Sequence, residues 1–356
     1  MEHPDVHGFP LDDMRMGRAV SIAMVGLALT GTLHAQEALP AQGKVPAQEE
    51  VQYLNSEDGT TLTAYLSVPV ASGPFPAVVL LSIAGTDPVT QHLTEAGYAV
   101  LAPTRRGFVA VEPLLQATYA DLGGDLRAAL DFLGSVPGVD SRRLAVIAQA
   151  DDGPPALLAM AASPSPVPLA LLAPPAFSGV EEFRREQRAM ARRDGATADE
   201  LRALDAYVGQ IAELALSRAE PYVREYRLDA LRARSPVQLP RNAAFPMDER
   251  QAHFFASPLW RDRLAFEPQV ALGLLRSPAL VMIGVDDANT PVEAYLDSVR
   301  RGLAAARTDD TSVCLVPGRT RHSFTPRSMN VLVEWLDHRS DPAGRRPSGC
   351  LEDPLR

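Results

Sequence analysis

Arg143-Leu-Ala-Val-Ile-Ala-Gln-Ala-Asp-Asp-Gly153 decides how the rest of this chain is read. Leu144–Ala148 is an unbroken apolar run of strand length, as expected of a strand buried on both faces. Polar residues follow at once. Gly153 and the apolar stretch 154–162 come next, and the latter reads as a helix whose two leading prolines sit in its first turn. The segment therefore reads as a strand running straight into a tight turn and a helix.

Outward from this segment, strands and helices alternate. Val51–Leu54 and Thr61–Val68 flank the turn signal Glu57-Asp58-Gly59 and predict an antiparallel hairpin. Ala77–Ser82, Ala99–Ala102, Leu169–Ala173, Ala279–Ile283 and Ser312–Val316 read as further strands. Leu122, Leu126, Ala129, Leu130 and Leu133 share one face of a helix. Thr290-Pro-Val-Glu293 has the form of a capping box that opens a helix to about Ala306, and a last helix covers Pro326–Asp337. The alternation predicts an α/β fold with a mostly parallel sheet covered by helices on both faces.

Between residues 176 and 275 strand signals vanish and charged helices take over. Thr197-Ala-Asp-Glu200 is a second capping box, followed by the apolar stripe Leu201, Leu204, Val208, Ile211 and Ala215; Glu220–Ala233 reads as another helix. A helical block between two core strands is expected to form a cap over the sheet's active edge. The run Arg184, Arg185, Arg188, Arg192, Arg193 reads as a solvated helix face rather than an anion site.

The N-terminal part has the features of an export signal. Arg15 and Arg18 precede an apolar run from Ala19 to Leu33, short for a membrane span, and cleavage is expected near Ala35. Met14 or Met16 then becomes a candidate start. Residues 36–50 read as a linker, 51–175 and 276–338 as the core, and 339–356 as a tail. Net charge is −10 and no basic block suggests nucleic-acid binding; Lys44 is the only lysine, arginine supplies the rest of the positive charge, and this decides nothing about function. In an oxidising compartment Cys314 and Cys350 either pair or remain, respectively, a buried strand thiol and a tail thiol.

Four motifs occur in order. They are Ile147-Ala-Gln-Ala-Asp-Asp-Gly153, Ser257-Pro-Leu-Trp-Arg261 with Phe266-Glu-Pro268, Gly284-Val-Asp-Asp-Ala-Asn-Thr-Pro291, and Pro317-Gly-Arg-Thr-Arg-His-Ser-Phe324. Together, over residues 55–338, they resemble the α/β-hydrolase superfamily, and within it an exported esterase- and peptidase-like branch with a dienelactone-hydrolase-like core and a helical cap. The resemblance places the triad acid at Asp287, with Asp286 one residue short of the spacing, and the base at His322. It puts the nucleophile at position 150, where the family has serine in a small-x-Ser-x-Gly elbow. It assigns oxyanion N–H donors to the loop at Ile83 and to Asp151. It implies no cofactor and no metal.

The departures from this pattern bear on function. Ala150 has no hydroxyl with which to attack a carbonyl. Asp152 replaces an elbow glycine, Ile83 replaces a glycine of the oxyanion loop, and Thr104-Arg-Arg-Gly107 lacks the acidic residues that usually precede Arg-Gly. Asp151 is the alternative nucleophile, as a carboxylate, although it would put Gln149 at the small position. Ala215-Leu-Ser217-Arg-Ala219 also fits small-x-Ser-x-small, yet it lies in a helical region and reads as structural. Three functions are expected to compete. The first is a non-catalytic exported protein binding a small ester- or peptide-like ligand. The second is a hydrolase with a non-standard nucleophile. The third is a structural or partner-binding module. No stable membrane span after processing is expected, and the oligomeric state stays open.

Overall fold

The computed structural model describes residues 48–81, 88–107, 111–165, 167–239, 250–284, 292–316 and 325–340. Among them are eight strands: β1 (Gln48–Asn55), β2 (Thr60–Ser67), β3 (Phe75–Leu81), β4 (Ala99–Pro103), β5 (Val139–Gln149), β6 (Leu169–Leu172), β7 (Ala279–Gly284) and β8 (Thr311–Val316). They form one sheet in the order β1-β2-β4-β3-β5-β6-β7-β8. The β1–β2 hairpin turns at Gly59, whose φ of +76° suits glycine. β2 is antiparallel to both its neighbours, and every pairing from β4 to β8 is parallel.

Both faces of the sheet are buried, which is why its central strands are apolar throughout instead of alternating. Val79, Val146, Leu171 and Val281 turn to one face. There they meet α3 (Tyr119–Ser135), α4 (Gly153–Ala162) and α11 (Val292–Leu303) through Leu126, Leu133, Met160 and Val299. Their strand neighbours Val78, Ile147, Ala170 and Met282 turn to the other face. On that side lie α1 (Pro88–Glu95) and α12 (Pro326–Ser340), with Leu93 and Trp335 fully buried. A short helix, α2 (Glu112–Leu115), precedes α3.

Between β6 and β7 lie α5 (Gly179–Arg193), α6 (Ala198–Leu216), α7 (Pro221–Arg234), α8 (Gln251–Ala256), α9 (Pro258–Ala265) and α10 (Pro268–Gly273). This helical insertion has its own core, built on Phe183, Val208, Ile211, Leu228, Phe255 and Trp260. Phe183 and Trp260 meet edge to face with ring centroids 4.9 Å apart. The arginines of α5 are largely ion-paired: Arg184 and Arg185 with Glu181, and Arg188 with Asp205. Arg185 also lies over the Phe177 ring. The capping box at Thr197 opens α6, with the Thr197 hydroxyl accepting from Glu200 N–H and the Glu200 carboxylate accepting from Thr197 N–H.

Element ends differ from the sequence expectation for local reasons. β1 begins at Gln48, inside the expected 36–50 linker, because its ladder continues to the pair Gln48↔Ser67. β5 begins at Val139 rather than Leu144, since Val139 pairs with Phe75 across an irregularity in the β3–β5 ladder. α3 starts at a further capping box, Thr118 with Asp121. α11 ends at Leu303, short of Ala306, where the chain tightens into hydrogen bonds from Ala305 N–H to Gly302 and from Ala306 N–H to Leu303. Thr290 and Pro291 lie outside the described residues. Ser217 stands at the C-cap of α6 and its hydroxyl donates to the Leu214 carbonyl. Among the described residues no helix is long and apolar enough to cross a membrane; the run from Ala19 to Leu33 lies outside them.

Within the insertion, α5 and α9 meet in a close backbone contact at Gly179, the first residue of α5. A Cβ there would stand 1.8 Å from the Arg263 carbonyl oxygen and 2.7 Å from Leu264 Cα, both main-chain atoms that cannot rotate aside. Gly179→Ala is expected to destabilise the protein by about 3 kcal/mol, the upper end for overpacking. Urea unfolding checks this, with Gly209→Ala, where a Cβ meets nothing within 4 Å, as the tolerated control.

Candidate functional site at the β5–α4 turn

β5 runs into a single 3-10 turn, Ala150–Asp152, and then into α4. Ala150 has a φ of +49°, in the left-handed region that alanine rarely adopts, and the Gly153 N–H closes the turn on the Ala150 carbonyl. The apex of the turn is therefore residue 150. Gly153 permits close packing behind it, since a Cβ there would lie 3.1 Å from the Pro174 side chain. The neighbouring strand ends alike: Gln149 pairs with Leu172, and the next residue, Ala173, has a φ of +48°.

The two aspartates after Ala150 are each held by an arginine. Asp152 is buried, and Arg105, from the loop after β4, grips it with both arms: Nε donates to Oδ1 at 2.8 Å, and Nη2 lies 2.7 Å from Oδ2. Burial pushes the Asp152 carboxyl up and outweighs the opposing pull of Arg105. Burial also works against the charge of Arg105, but Asp152 more than compensates and raises its pKa. Asp151 is half exposed and accepts from Arg263 Nη1 at 2.9 Å. Arg263 belongs to α9. Its Nη2 lies 2.9 Å from each oxygen of Glu186 on α5, and its guanidinium stands over the Trp260 ring. Burial disfavours the charge on Arg263, and Asp151 and Glu186 overcome it. One residue away, the Asp262 carboxylate accepts from Tyr119 N–H at the start of α3, where a negative charge suits the helix N-terminus. Burial pushes the Tyr119 phenol well above its ordinary range.

Ala150, Asp151 and Asp152 thus stand together at the carboxyl end of β5, with α9 of the insertion bonded to Asp151. Ile83, Asp287, Asp286 and His322 lie outside the described residues. Arg105 and Asp152 each lie at a departure from the family's pattern; sequence reasoning did not pair them, although their opposite charges were a signal for it. Arg263 and Glu186 carry no signal in sequence, because nothing local marks an arginine 112 positions from its partner. Beneath α4 a void of about 10 Å³, lined by Pro154, Leu157, Pro174 and Phe266, has room for one water at most. A cleft of about 430 Å³, the size of a small-ligand site, opens in the insertion between Ala191, Gly195, Leu204 and Val237. Among the described residues no group of His, Cys, Asp and Glu is arranged to hold a metal ion.

No protein-family model matches the chain, and no curated protein matches it significantly. Solved structures do. The chain is similar to the 2,6-dihydroxy-pseudo-oxynicotine hydrolase, with a TM-score of 0.52 at 15% identity, covering 85% of this chain and 71% of that one. It is similar to the α/β hydrolase GrgF from Penicillium sp. sh18, with a TM-score of 0.52 at 16% identity over 82% and 98% of the two chains. An esterase from Pyrococcus furiosus gives a TM-score of 0.50 at 14% identity over 82% and 91%. The fold is that of the α/β hydrolases.

The Arg105–Asp152 pair makes the turn sensitive to removal of one partner. Arg105→Met leaves a buried carboxylate unpaired and is expected to cost about 2 kcal/mol, less than a fully buried pair because Arg105 is about a third exposed. In that variant Asp152 binds its proton more readily folded than unfolded. Stability should therefore fall as pH rises from about 4 toward 7. Adding Asp152→Asn should remove the fall, and urea unfolding between those pH values checks both.

Proposed function

We propose that this chain is an exported protein that keeps the α/β-hydrolase fold, has lost serine-type catalysis, and binds a small ester- or peptide-like ligand beneath its helical insertion. The observation that carries the reading is the methyl group of Ala150 at the left-handed apex between β5 and α4. That apex is where a serine hydrolase of this fold presents its nucleophile, and a methyl group forms no acyl-enzyme. On this reading Asp287 and His322 are the retained acid and base. Ile83 and the Asp151 N–H flank the former oxyanion hole. Residues 51–175 and 276–338 are the core, and 176–275 are the cap. The contact of α9 with Asp151 supports the cap role, since it brings the insertion to the carboxyl ends of the strands, where open α/β sheets bind ligands. No cofactor or metal is needed.

Asp151 is a poor substitute nucleophile in this geometry. The strained apex is residue 150, and the Asp151 carboxylate is engaged by Arg263. Export is supported by the charged-then-apolar N-terminal pattern and by Cys314, which is disulfide-bonded and fully buried in β8. Cys350, the other cysteine, lies outside the described residues.

The unmodified protein is expected to show no serine-type esterase turnover and no labelling by a fluorophosphonate, because loss of the nucleophile from such a site costs about 10⁶ in kcat. Ala150→Ser alone should restore little, since Arg105 and Asp152 still fix the turn and Ile83 still stands where the resembled family has glycine. Ala150→Ser with Asp152→Gly and Ile83→Gly should hydrolyse a small activated ester and become labelled. Robust hydrolysis by the unmodified chain that disappears in Asp151→Asn would overturn the proposal in favour of a carboxylate nucleophile.

A further inference from the structure

The helical insertion is fastened to the core by a further polar contact, formed by residues outside the β5–α4 turn. His253 of α8 stands between two carboxylates. Its Nδ1 lies 3.2 Å from Glu225 Oε2 on α7, and its Nε2 lies 3.0 and 3.2 Å from the two carboxylate oxygens of Glu112 on α2. His253 and Glu225 both belong to the insertion. Glu112 belongs to the core segment between β4 and α3. The imidazole is therefore a bridge between the two parts of the molecule, and it is partly open to solvent.

The number of protons on the ring decides what the bridge can hold. An imidazolium carries two N–H donors and serves both carboxylates. A neutral imidazole carries one, and its other nitrogen turns a lone pair toward an oxygen that also carries lone pairs. The hydrogen bond to Glu225, and next that to Glu112, raise the pKa of His253 against the effect of burial. Other charged groups on the helices packed around α8 are engaged elsewhere. Arg224 of α7 donates to the Ala219 and Ala256 carbonyls, Arg261 of α9 to the Ser217 carbonyl, and Asp205 of α6 pairs with Arg188. Arg250 stands at the N-cap of α8.

We propose that His253 is a pH-sensitive clasp between the helical insertion and the core, closed on Glu112 when the ring is protonated and released from it when the ring is neutral. Glu225 keeps the remaining donor because α7 and α8 pack side by side within the insertion. Glu112 has an alternative partner in Gln116, whose amide donates to it at 2.8 Å. The partners favour the protonated ring in the folded state. The clasp therefore contributes fully below the ordinary imidazole pKa of about 6.5 and is lost as pH rises through the higher folded value. The Arg263–Asp151 contact does not involve His253, so the insertion loosens at the α8 side and stays attached at α9.

Two measurements on the full chain test this. Long-range ¹H–¹⁵N correlation spectra follow the titration of His253, which should lie above that of an ordinary imidazole and end in the Nδ1–H tautomer. Amide exchange protection factors, which divide out the intrinsic pH dependence of exchange, are measured across the same range. Protection in α2 and α8 should drop about two- to fivefold as His253 loses its proton, the scale of a half-exposed ion pair, while β5 keeps its protection. Glu112→Gln and His253→Gln should each abolish the step. A step that survives His253→Gln, wild-type protection that stays flat through the titration, or an Nε2–H tautomer at high pH would overturn the proposal.

Discussion

A left-handed alanine at the end of β5 is the constraint around which the rest of the structure is arranged. The conformation costs roughly 1–2 kcal/mol for a residue with a Cβ, and no chemistry at a methyl group compensates for it. The compensation is architectural. α4 must leave the sheet steeply enough to lay Leu157 and Met160 on the face that α3 also covers, and Gly153 must come within van der Waals contact of Pro174. A relaxed residue at position 150 would let the chain leave β5 at a shallower angle and lift α4 from that core. Ala173, in the same conformation at the matching level of β6, follows the same rule. Backbone strain at this turn belongs to the fold, and it would persist whether or not a nucleophile stood there.

The turn also accounts for the pairing of two unusual residues. Asp152 brings a charge into a place where the elbow normally has none. Left alone, a buried carboxylate would be several kcal/mol out of balance. Arg105 supplies the opposite charge from the neighbouring loop: its Nε donates to Oδ1, and its Nη2 stands 2.7 Å from Oδ2 as a charge partner. The adjacent Arg106 makes a separate set of bonds, to Asp125 of α3 and Asp58 of the hairpin turn, and holds the edge of the sheet. Two consecutive arginines thus have different tasks: one neutralises the elbow and the other ties the hairpin to α3.

Much of the fold was legible because parallel strands buried on both faces leave runs such as Leu144–Ala148 and Ala279–Ile283 that no surface element imitates. Capping boxes marked α6 well for the same reason: Thr197 and Glu200 act locally, so their spacing in sequence is their spacing in space. The short helices α2, α8, α9 and α10 were not legible, since four to eight residues hold too few turns to show a period. At the candidate site, Ala150 stood out because the resemblance puts serine at that position of a strand–turn–helix segment. Arg263 and His253 did not. Each acts on a carboxylate more than a hundred residues away, and only the packing of the insertion brings the partners together.

That packing separates the roles of the two contacts. Arg263 is enclosed by Trp260, Glu186 and Asp151, and its guanidinium stays charged at any pH the fold survives, so α9 is held to the turn by a fixed bond. It crosses from the insertion to the residue whose N–H would serve an oxyanion, and any ligand approaching Ala150 from the side of α9 must accommodate that arginine. Within the insertion, Gly179 lets the start of α5 rest on the main chain of α9 beside Arg263. The insertion is tied to the core next to position 150 through Asp151. In an active hydrolase of this fold such anchoring would hinder a substrate's entry to the elbow. On the proposed reading a methyl group at position 150 has no turnover to lose, and the bond to Asp151 contributes stability beside the strained turn.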